Sequence, residues 1–232
     1  MSDELYHECH EVISQATAIL EDLHQWGFES VASLPPEMVT TSLPLNTTPT
    51  SLAELEASLQ NCQLCPLCEQ RQNIVFGTGN PNANLVLVGE APGQAEDEQG
   101  MPFVGEVGTL LDKILAAMSL SRQDVYLCSV VKCHPVANRE PQLDEITTCE
   151  LFLQQQLQLI RPKVIVTLGR FATHTLLKTD TAISKLRGEW RQYENIPVMP
   201  TFHPTYLLHN SLAKRPFWED MKLVMHCLNV GN

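Results

Sequence analysis

Short apolar segments that alternate with helical patterns are the feature that most constrains the fold of this 232-residue chain. Each segment is rich in Val, Ile or Leu, is too short for a typical helix, and precedes apolar residues at helical spacing. The four segments are residues 84–90, 124–132, 163–169 and 196–202. Strands that are apolar on both faces and alternate with helices predict an α/β fold, in which helices cover both sides of a parallel sheet.

Helical patterns lie between and around these strands. The longest pattern opens on Pro141, at a position where a helix tolerates a residue without an N–H group. The predicted helices cover residues 51–60, 106–118, 141–160, 170–178 and 213–229. Because open parallel sheets bind ligands at the carboxyl ends of their strands, the residues that follow each strand are the candidates for function.

The first 50 residues differ from the rest of the chain. Apolar spacing predicts an amphipathic helix within residues 1–30, and Pro, Ser and Thr enrichment predicts a flexible linker over residues 31–50. Residues 1–60 contain ten Asp or Glu and neither Lys nor Arg, which accounts for most of the net charge of −12. Residues 61–232 contain 17 acids and 15 bases, a net charge of −2, so the overall charge does not exclude a nucleic-acid partner for the domain predicted over residues 51–232.

Two features that the sequence lacks indicate where in the cell the protein is expected. The chain contains no apolar run of about 18 residues or more, and its N-terminus lacks the basic and apolar regions of a secretory signal. We therefore expect a cytoplasmic protein without membrane contact. In that compartment the eight cysteines are thiols or metal ligands rather than disulfides.

The first strand ends at Glu90, and the Pro/Gly loop Ala91–Gly93 follows it. Such a loop brings backbone N–H groups close to a ligand. Phe103 lies further along between Pro102 and Val104, and the residues alone favour a core position over a stacking platform.

Three acidic residues crowd the loop between Gly93 and Phe103. We interpret Glu96 and Glu98 as a solvated turn, whereas Asp97 stays undecided.

The other strands end in further candidates. Ser129 ends the second strand, Gly169 forms a tight turn after the third, and His203 precedes a proline after the fourth. His203 is equally well explained as an acid or electrostatic stabiliser and as a histidine bonded to a loop carbonyl. Leu207 and Leu208, just beyond it, form either part of the core or an apolar wedge.

The cysteines form a second group. Cys62 and Cys65 are spaced C-x2-C, and Cys133 and Cys149 are spaced C-x15-C. Two such pairs can hold zinc or an iron–sulfur cluster, and the spacing alone does not name the metal. Cys68 extends the first pair to the opening of a ferredoxin-like run, but the cysteine three residues later that such a run requires is missing.

Several ordered motifs together resemble one family, the iron–sulfur uracil-DNA glycosylases known as family 4. The motifs span about residues 52–228 and are CQLCPL, VFGTGNPNANLVLVGEAPGQAEDEQGMPFVGEVGTLLDKIL, VYLCSVVKCHPVANREP, RPKVIVTLGRFA and TFHPTYLL, together with Cys149. The resemblance implies a three-layer α/β/α sandwich around a four-stranded parallel sheet. It also implies excision of uracil from single- or double-stranded DNA by a monomeric enzyme.

The resemblance further implies a [4Fe–4S] cluster with a structural role, which pins the segment before the first strand to the loop after the second. Cys68 and Cys128 do not match ligand positions. The cysteines that match the ligands of the family are Cys62, Cys65, Cys133 and Cys149.

The same resemblance assigns roles around a flipped uracil. Phe103 stacks on the base, Glu90 positions a water and stabilises positive charge on the sugar, and His203 hydrogen-bonds uracil O2. Backbone N–H groups of the Ala91–Gly93 loop assist. The residues expected to fill the gap in the base stack are Leu207 and Leu208. Because no lysine occupies a motif position that suggests a Schiff base, we expect a monofunctional glycosylase.

One position departs from the family pattern. The family usually has asparagine, which reads the uracil edge, where this chain has Ser129. A serine offers one hydroxyl and cannot make the two-point contact to O4 and N3–H directly. Three hypotheses follow: an active uracil-DNA glycosylase, a non-catalytic iron–sulfur protein that binds DNA, and a glycosylase for another damaged base.

Overall fold

The computed structural model describes residues 49–230 of the chain. The amphipathic helix predicted within residues 1–30 and nearly all of the predicted linker over residues 31–50 lie outside this range. No helix in the range is long and apolar enough to cross a membrane.

A six-stranded sheet forms the centre of the domain. Its strands are β1 (Thr78–Gly79), β2 (Leu85–Gly89), β3 (Val125–Ser129), β4 (Val164–Leu168), β5 (Arg191–Tyr193) and β6 (Ile196–Thr201). They lie in the order β1-β3-β2-β4-β6-β5. The four inner strands are parallel, as the sequence predicts, and β1 and β5 pair antiparallel at the two edges. The sheet therefore has six strands and not the expected four. The two additional strands, β1 and β5, lie at the edges and are too short to show an alternating pattern.

Eight α-helices accompany the sheet within residues 49–230. They are α1 (Leu52–Leu59), α2 (Gln94–Gln99), α3 (Gly105–Ala117), α4 (Leu143–Ile160), α5 (Arg170–Leu177), α6 (Ile183–Leu186), α7 (Pro204–His209) and α8 (Lys214–Leu228). The predicted helices correspond to α1, α3, α4, α5 and α8 with ends shifted by one or two residues. The other three are four to six residues long, which is too short for a periodic pattern.

Alternation along the strands supplies both faces of the sheet with apolar side chains. Val125 and Leu127 of β3 join a core cluster with residues of α3 and α8. Tyr126 points to the opposite face, where its hydroxyl accepts a hydrogen bond from Gln156 of α4 at 3.4 Å. Helices therefore cover both faces. The residues of β2, β3 and β4 are all buried, which explains their continuous apolar sequences.

Candidate active site

The register of the parallel strands places the predicted site residues at one edge of the sheet. Gly89 of β2 pairs with Ser129 of β3, and Leu168 of β4 pairs with Thr201 of β6. The strands thus end at nearly the same level, and each delivers a functional candidate there. Glu90 follows β2 directly, Ser129 ends β3, and His203 follows β6 by two residues.

A cavity of about 410 Å³ opens at this edge. It is large enough for a nucleobase, and it brings together residues from three of the strand ends. The predicted site residues that line it are Ala91, Gly93, Phe103, Ser129, His203 and Leu208. Glu90 and Leu207 are not among the lining residues.

Phe103 forms one wall of the cavity and belongs to the core cluster at the same time. Its ring stacks against the ring of His203, with centroids 6.3 Å apart and an angle of 29° between the planes. Its backbone has φ of 54°, which is unusual for an aromatic residue and is held by contacts on both sides. The N–H group donates to Glu96, and the carbonyl accepts from Arg122 at 2.5 Å. The core position that the sequence alone favours is confirmed, and the stacking of Phe103 on a base stays a prediction.

Glu96 is not the solvated turn residue that the sequence suggested. It is partly buried, and its carboxylate accepts the N–H groups of Gly93 at 2.5 Å and of Phe103. Burial raises the pKa of Glu96, against the lowering effect of these two hydrogen bonds. The side chain therefore ties the two ends of the cavity loop together. The G-x-x-E spacing, typical of a helix N-terminus, was the available signal.

Asp97, which the sequence left undecided, has a structural role. It is buried and accepts the backbone N–H groups of Gln72 and Asn73 at 2.9 to 3.1 Å. These contacts join the cavity loop to the segment that precedes β1.

Gly89 leaves the space that the Phe103 ring needs. A Cβ atom at residue 89 would lie 2.8 Å from Cζ of Phe103 and 3.4 Å from Oγ of Ser129. We expect Gly89→Ala to displace the ring and to raise KM for the base up to about tenfold, because an aromatic stack contributes roughly 0.5–1.5 kcal/mol. Steady-state excision kinetics measure this effect, and thermal unfolding controls for loss of fold. An unchanged KM in a folded variant would contradict it.

His203 is held as a neutral hydrogen-bond donor. It precedes α7, and its Nδ1 accepts the backbone N–H of Thr205 at 3.2 Å, which leaves the proton of the neutral ring on Nε2. Burial lowers the pKa of His203 to about 4, so the ring is uncharged at neutral pH. Gly169 with φ of 90° permits this placement, because a Cβ there would lie 3.0 Å from Cβ of His203. The alternative of a histidine satisfied by a loop carbonyl is not what the structure shows.

Glu90 is half-buried beside the cavity. Burial raises the pKa of Glu90 to about 7, the negative charge of Glu140 adds to this effect, and Arg170 opposes it. A carboxyl group that titrates near neutral pH at a strand end is typical of a functional site.

Ser129 is 3% exposed and is held from behind by a residue that sequence reasoning missed. Lys132 is 1% exposed, and its Nζ donates to the Ser129 carbonyl and to Oε1 of Gln156, each at 2.6 Å. Burial lowers the pKa of Lys132. Lys132 follows two valines and precedes a cysteine, and nothing in this local sequence indicates that its side chain is buried. Its ammonium group fixes the backbone of Ser129 and does not point into the cavity.

Leu207 takes the core position that the sequence left as an alternative to the wedge role of Leu207 or Leu208. It is 1% exposed and belongs to the core cluster, because the short helix α7 turns it inward. Leu208 is 36% exposed and lines the cavity. The wedge prediction therefore narrows to Leu208.

The predicted second site comprises Cys62, Cys65, Cys133 and Cys149, and hydrogen-bond donors reach two of these sulfur atoms. Arg71 donates to Sγ of Cys133 at 3.4 Å and to the carbonyl of Cys62 at 2.7 Å. The backbone N–H of Lys132 points at Sγ of Cys149, 3.3 Å away. Donors directed at sulfur suit thiolates that ligate a cluster.

Burial raises the pKa of Cys133 to about 11 and that of Cys149 to about 12, and the nearby Cys65 adds to both shifts. Within residues 49–230 no three His, Cys, Asp or Glu converge closely enough to hold a single metal ion. The donors directed at Cys133 and Cys149, and the effects of the neighbouring cysteines on the pKa of these two thiols, are the observations that favour a shared cysteine site.

The remaining cysteines of this region also have defined places. Cys68 is half-buried, and its N–H donates to the Cys65 carbonyl at 3.2 Å. Cys128 is fully buried on the opposite face of β3 from Ser129, as strand alternation predicts.

Comparison with known proteins names the class that the fold and cavity define. Residues 76–222 match the family model described as the uracil DNA glycosylase superfamily. A type-4 uracil-DNA glycosylase from Sulfurisphaera tokodaii is 40% identical over 183 residues, which cover 75% of this chain and 83% of the relative. One from Thermotoga maritima is 44% identical over 156 residues, covering 66% and 80%. A type-5 enzyme from Pyrobaculum aerophilum is 32% identical over 151 residues, covering 57% and 66%. The chain belongs to the type-4 uracil-DNA glycosylases.

Proposed function

We propose that this protein removes uracil from DNA by hydrolysis of the N-glycosidic bond, acting as a monomer in the cytoplasm. The observation that carries the proposal is the cavity at the carboxyl ends of the strands, where Phe103, Ser129 and His203 meet. Its size and its aromatic wall suit a nucleobase, and a base inside a duplex reaches such a cavity only after it flips out of the stack.

His203 stabilises the leaving group. As the glycosidic bond lengthens, negative charge develops on uracil O2, and the Nε2–H of the neutral ring donates a hydrogen bond to it. The N–H groups of the Ala91–Gly93 loop contribute further dipoles at the same cavity. Phe103 stacks on the base and holds its plane against this donor.

Glu90 acts on the sugar. Its carboxylate stabilises the positive charge that develops there and orients the water that attacks the anomeric carbon. Both roles require the ionised form.

Activity is therefore expected to fall as the pH drops through about 7, the value to which burial raises the Glu90 pKa. A pH–rate profile measures this fall in activity, and Glu90→Gln should be slow at every pH and show no such fall.

The raised pKa of Glu90 also affects the stability of the fold. The unfolded carboxyl ionises near 4.5, so between pH 4.5 and 7 the folded state holds more protons and unfolding becomes easier as the pH rises. Glu90→Gln should therefore unfold at a higher temperature than the parent protein at pH 8. If the activity of Glu90→Gln still fell as the pH dropped through about 7, the assignment of this titration to Glu90 would be contradicted.

Leu208 fills the space that the flipped nucleotide leaves, since its partly exposed side chain stands at the cavity rim. In the part of the chain that the structure describes, no lysine lines the cavity. Lys132, the buried lysine nearest to it in sequence, is bound to Ser129 and Gln156. This arrangement supports a monofunctional enzyme without lyase action.

The cysteine site is proposed to hold a [4Fe–4S] cluster through Cys62, Cys65, Cys133 and Cys149. When bound, the cluster supplies a covalent link between three segments of the chain. We expect Cys149→Ser to lose the visible absorbance and iron content of the purified protein and to unfold at a lower temperature. The exposed Cys227, changed to serine, is the matched control and should behave like the parent protein. A colourless, zinc-loaded parent protein would overturn the proposal.

Ser129 favours two further candidates: a protein that binds DNA without catalysis, and a glycosylase for another damaged base. Incubation of the cluster-loaded protein with single-stranded and U:G duplex oligonucleotides tests the main proposal. An abasic product supports it, and its absence on both substrates refutes it. A panel of other damaged bases then separates the two remaining candidates.

A further inference from the structure

An exposed ion pair spans the edge of the sheet beside Glu90. Nη2 of Arg170 lies 2.5 Å from Oε1 of Glu140, and the two side chains are 50% and 66% exposed. Arg170 begins α5 directly after β4, whereas Glu140 lies in the loop between β3 and α4. The pair thus connects the loop after β3 to the start of the helix after β4, and β3 and β4 are the strands that flank β2.

Both partners are held in place by their neighbours. The Arg170 guanidinium lies over the ring of Phe171, 4.6 Å from its centroid. Next to Glu140, Arg139 binds the buried Glu145 carboxylate at 2.6 and 2.8 Å and also donates to the Glu140 carbonyl. These contacts position the guanidinium of Arg170 and the backbone of Glu140, and the ion pair joins the two side chains.

The location ties the pair to the site. Arg170 follows β4, the strand that pairs with β2, and Glu90 follows β2. The charges of Glu140 and Arg170 act on the pKa of Glu90 in opposite directions. Gly169, adjacent to Arg170, packs against His203. An exposed pair of this kind contributes little to stability, so its position beside two site residues calls for another explanation.

We propose that Arg170 contacts a backbone phosphate of bound DNA and that Glu140 occupies this guanidinium in the free protein. Arginine binds phosphate through paired donors, and a phosphate displaces an exposed carboxylate at small cost. Glu140 then acts as an internal competitor that weakens DNA binding. This inference rests on the proposed function only in naming DNA as the ligand.

The test is the salt dependence of binding to a uracil-free duplex. Each lost phosphate contact lowers the slope of log K against log salt by about 0.9. We expect Arg170→Gln to bind more weakly with a slope reduced by about this amount, and Arg170→Lys to keep the slope. Glu140→Gln should bind more tightly than the parent protein. In the Arg170→Gln background, Glu140→Gln should have no further effect.

The matched control is the exposed pair of Arg191 and Glu189, 2.7 Å apart on the β5 side of the sheet. Gln substitutions there should leave affinity and slope unchanged. An unchanged slope in Arg170→Gln would overturn the phosphate contact. Equal tightening by Glu140→Gln in both backgrounds would overturn the competition, since Glu140 would then repel DNA directly. Excision is assayed separately: binding as expected without abasic product refutes the glycosylase function and leaves this inference standing.

Discussion

Substitution of His203 by alanine is expected to lower kcat for uracil excision by about 100- to 1,000-fold, the usual effect of losing one donor to a developing anion. KM should change little, because the hydrogen bond strengthens only as charge moves onto the base. Single-turnover excision of a uracil-containing oligonucleotide measures the chemical step. The Phe103 stack and the loop N–H groups remain in the variant and explain the residual rate.

Two controls make this result specific. His209 also lines the cavity but is exposed, so His209→Ala should retain near-parental kcat. Thr205→Ala keeps the backbone N–H that donates to Nδ1 of His203 but removes the Thr205 hydroxyl, 3.0 Å from the same atom, so it should cost only a small part of the rate lost in His203→Ala. A loss confined to KM in His203→Ala would assign the ring to ground-state binding and contradict the leaving-group role.

The pH dependence separates His203 from Glu90. Because burial lowers the pKa of His203 to about 4, the ring gains a proton only well below neutral pH. The acid limb near pH 7 therefore belongs to Glu90 and should persist in His203→Ala. The depressed pKa also means that the His203 contribution to stability is present above about pH 6.5 and is lost as the pH falls toward 4.

The centre of the fold was predictable because its physical signal is strong. Strands buried on both faces must be apolar throughout, and Leu85–Gly89 and Val164–Leu168 are nearly so. The edge strands β1 and β5 have two and three residues, so no period can be read from them. The candidate residues at the strand ends were predictable for the same reason, since parallel strands of equal register end together.

The supporting residues of the site were not predictable, because their roles depend on contacts between distant segments. Glu96 accepts the N–H of Phe103 seven residues away, and Lys132 binds Gln156 of α4, which is 24 residues away. In sequence, one resembles a solvated acid and the other an exposed base. Leu207 and Leu208 are chemically alike, and only the turn of α7 decides which of them faces the core.

Substitution of Ser129 by asparagine is expected to raise kcat/KM for uracil by roughly 5- to 150-fold, which corresponds to about 1–3 kcal/mol for a buried polar edge that gains its partners. An amide can pair with both O4 and N3–H of uracil, whereas the serine hydroxyl provides one contact. The backbone at this position should not move, since Lys132 holds the Ser129 carbonyl. Excision of uracil, cytosine and other damaged bases by the parent protein and by Ser129→Asn measures both rate and discrimination.

Ser129→Ala completes the set, because it removes the hydroxyl without adding an amide. If the parent protein is an active uracil-DNA glycosylase whose serine contacts the base, the rates for uracil should rank alanine below serine and serine below asparagine. If the cavity serves another base, Ser129→Asn should gain activity on uracil while losing it on that base. Activity that appears only in Ser129→Asn would identify the parent as a DNA-binding protein that is inactive because it lacks the asparagine that recognises uracil. Equal rates in all three proteins would contradict the premise that residue 129 reads the base, and would leave recognition to Phe103, His203 and the Ala91–Gly93 loop.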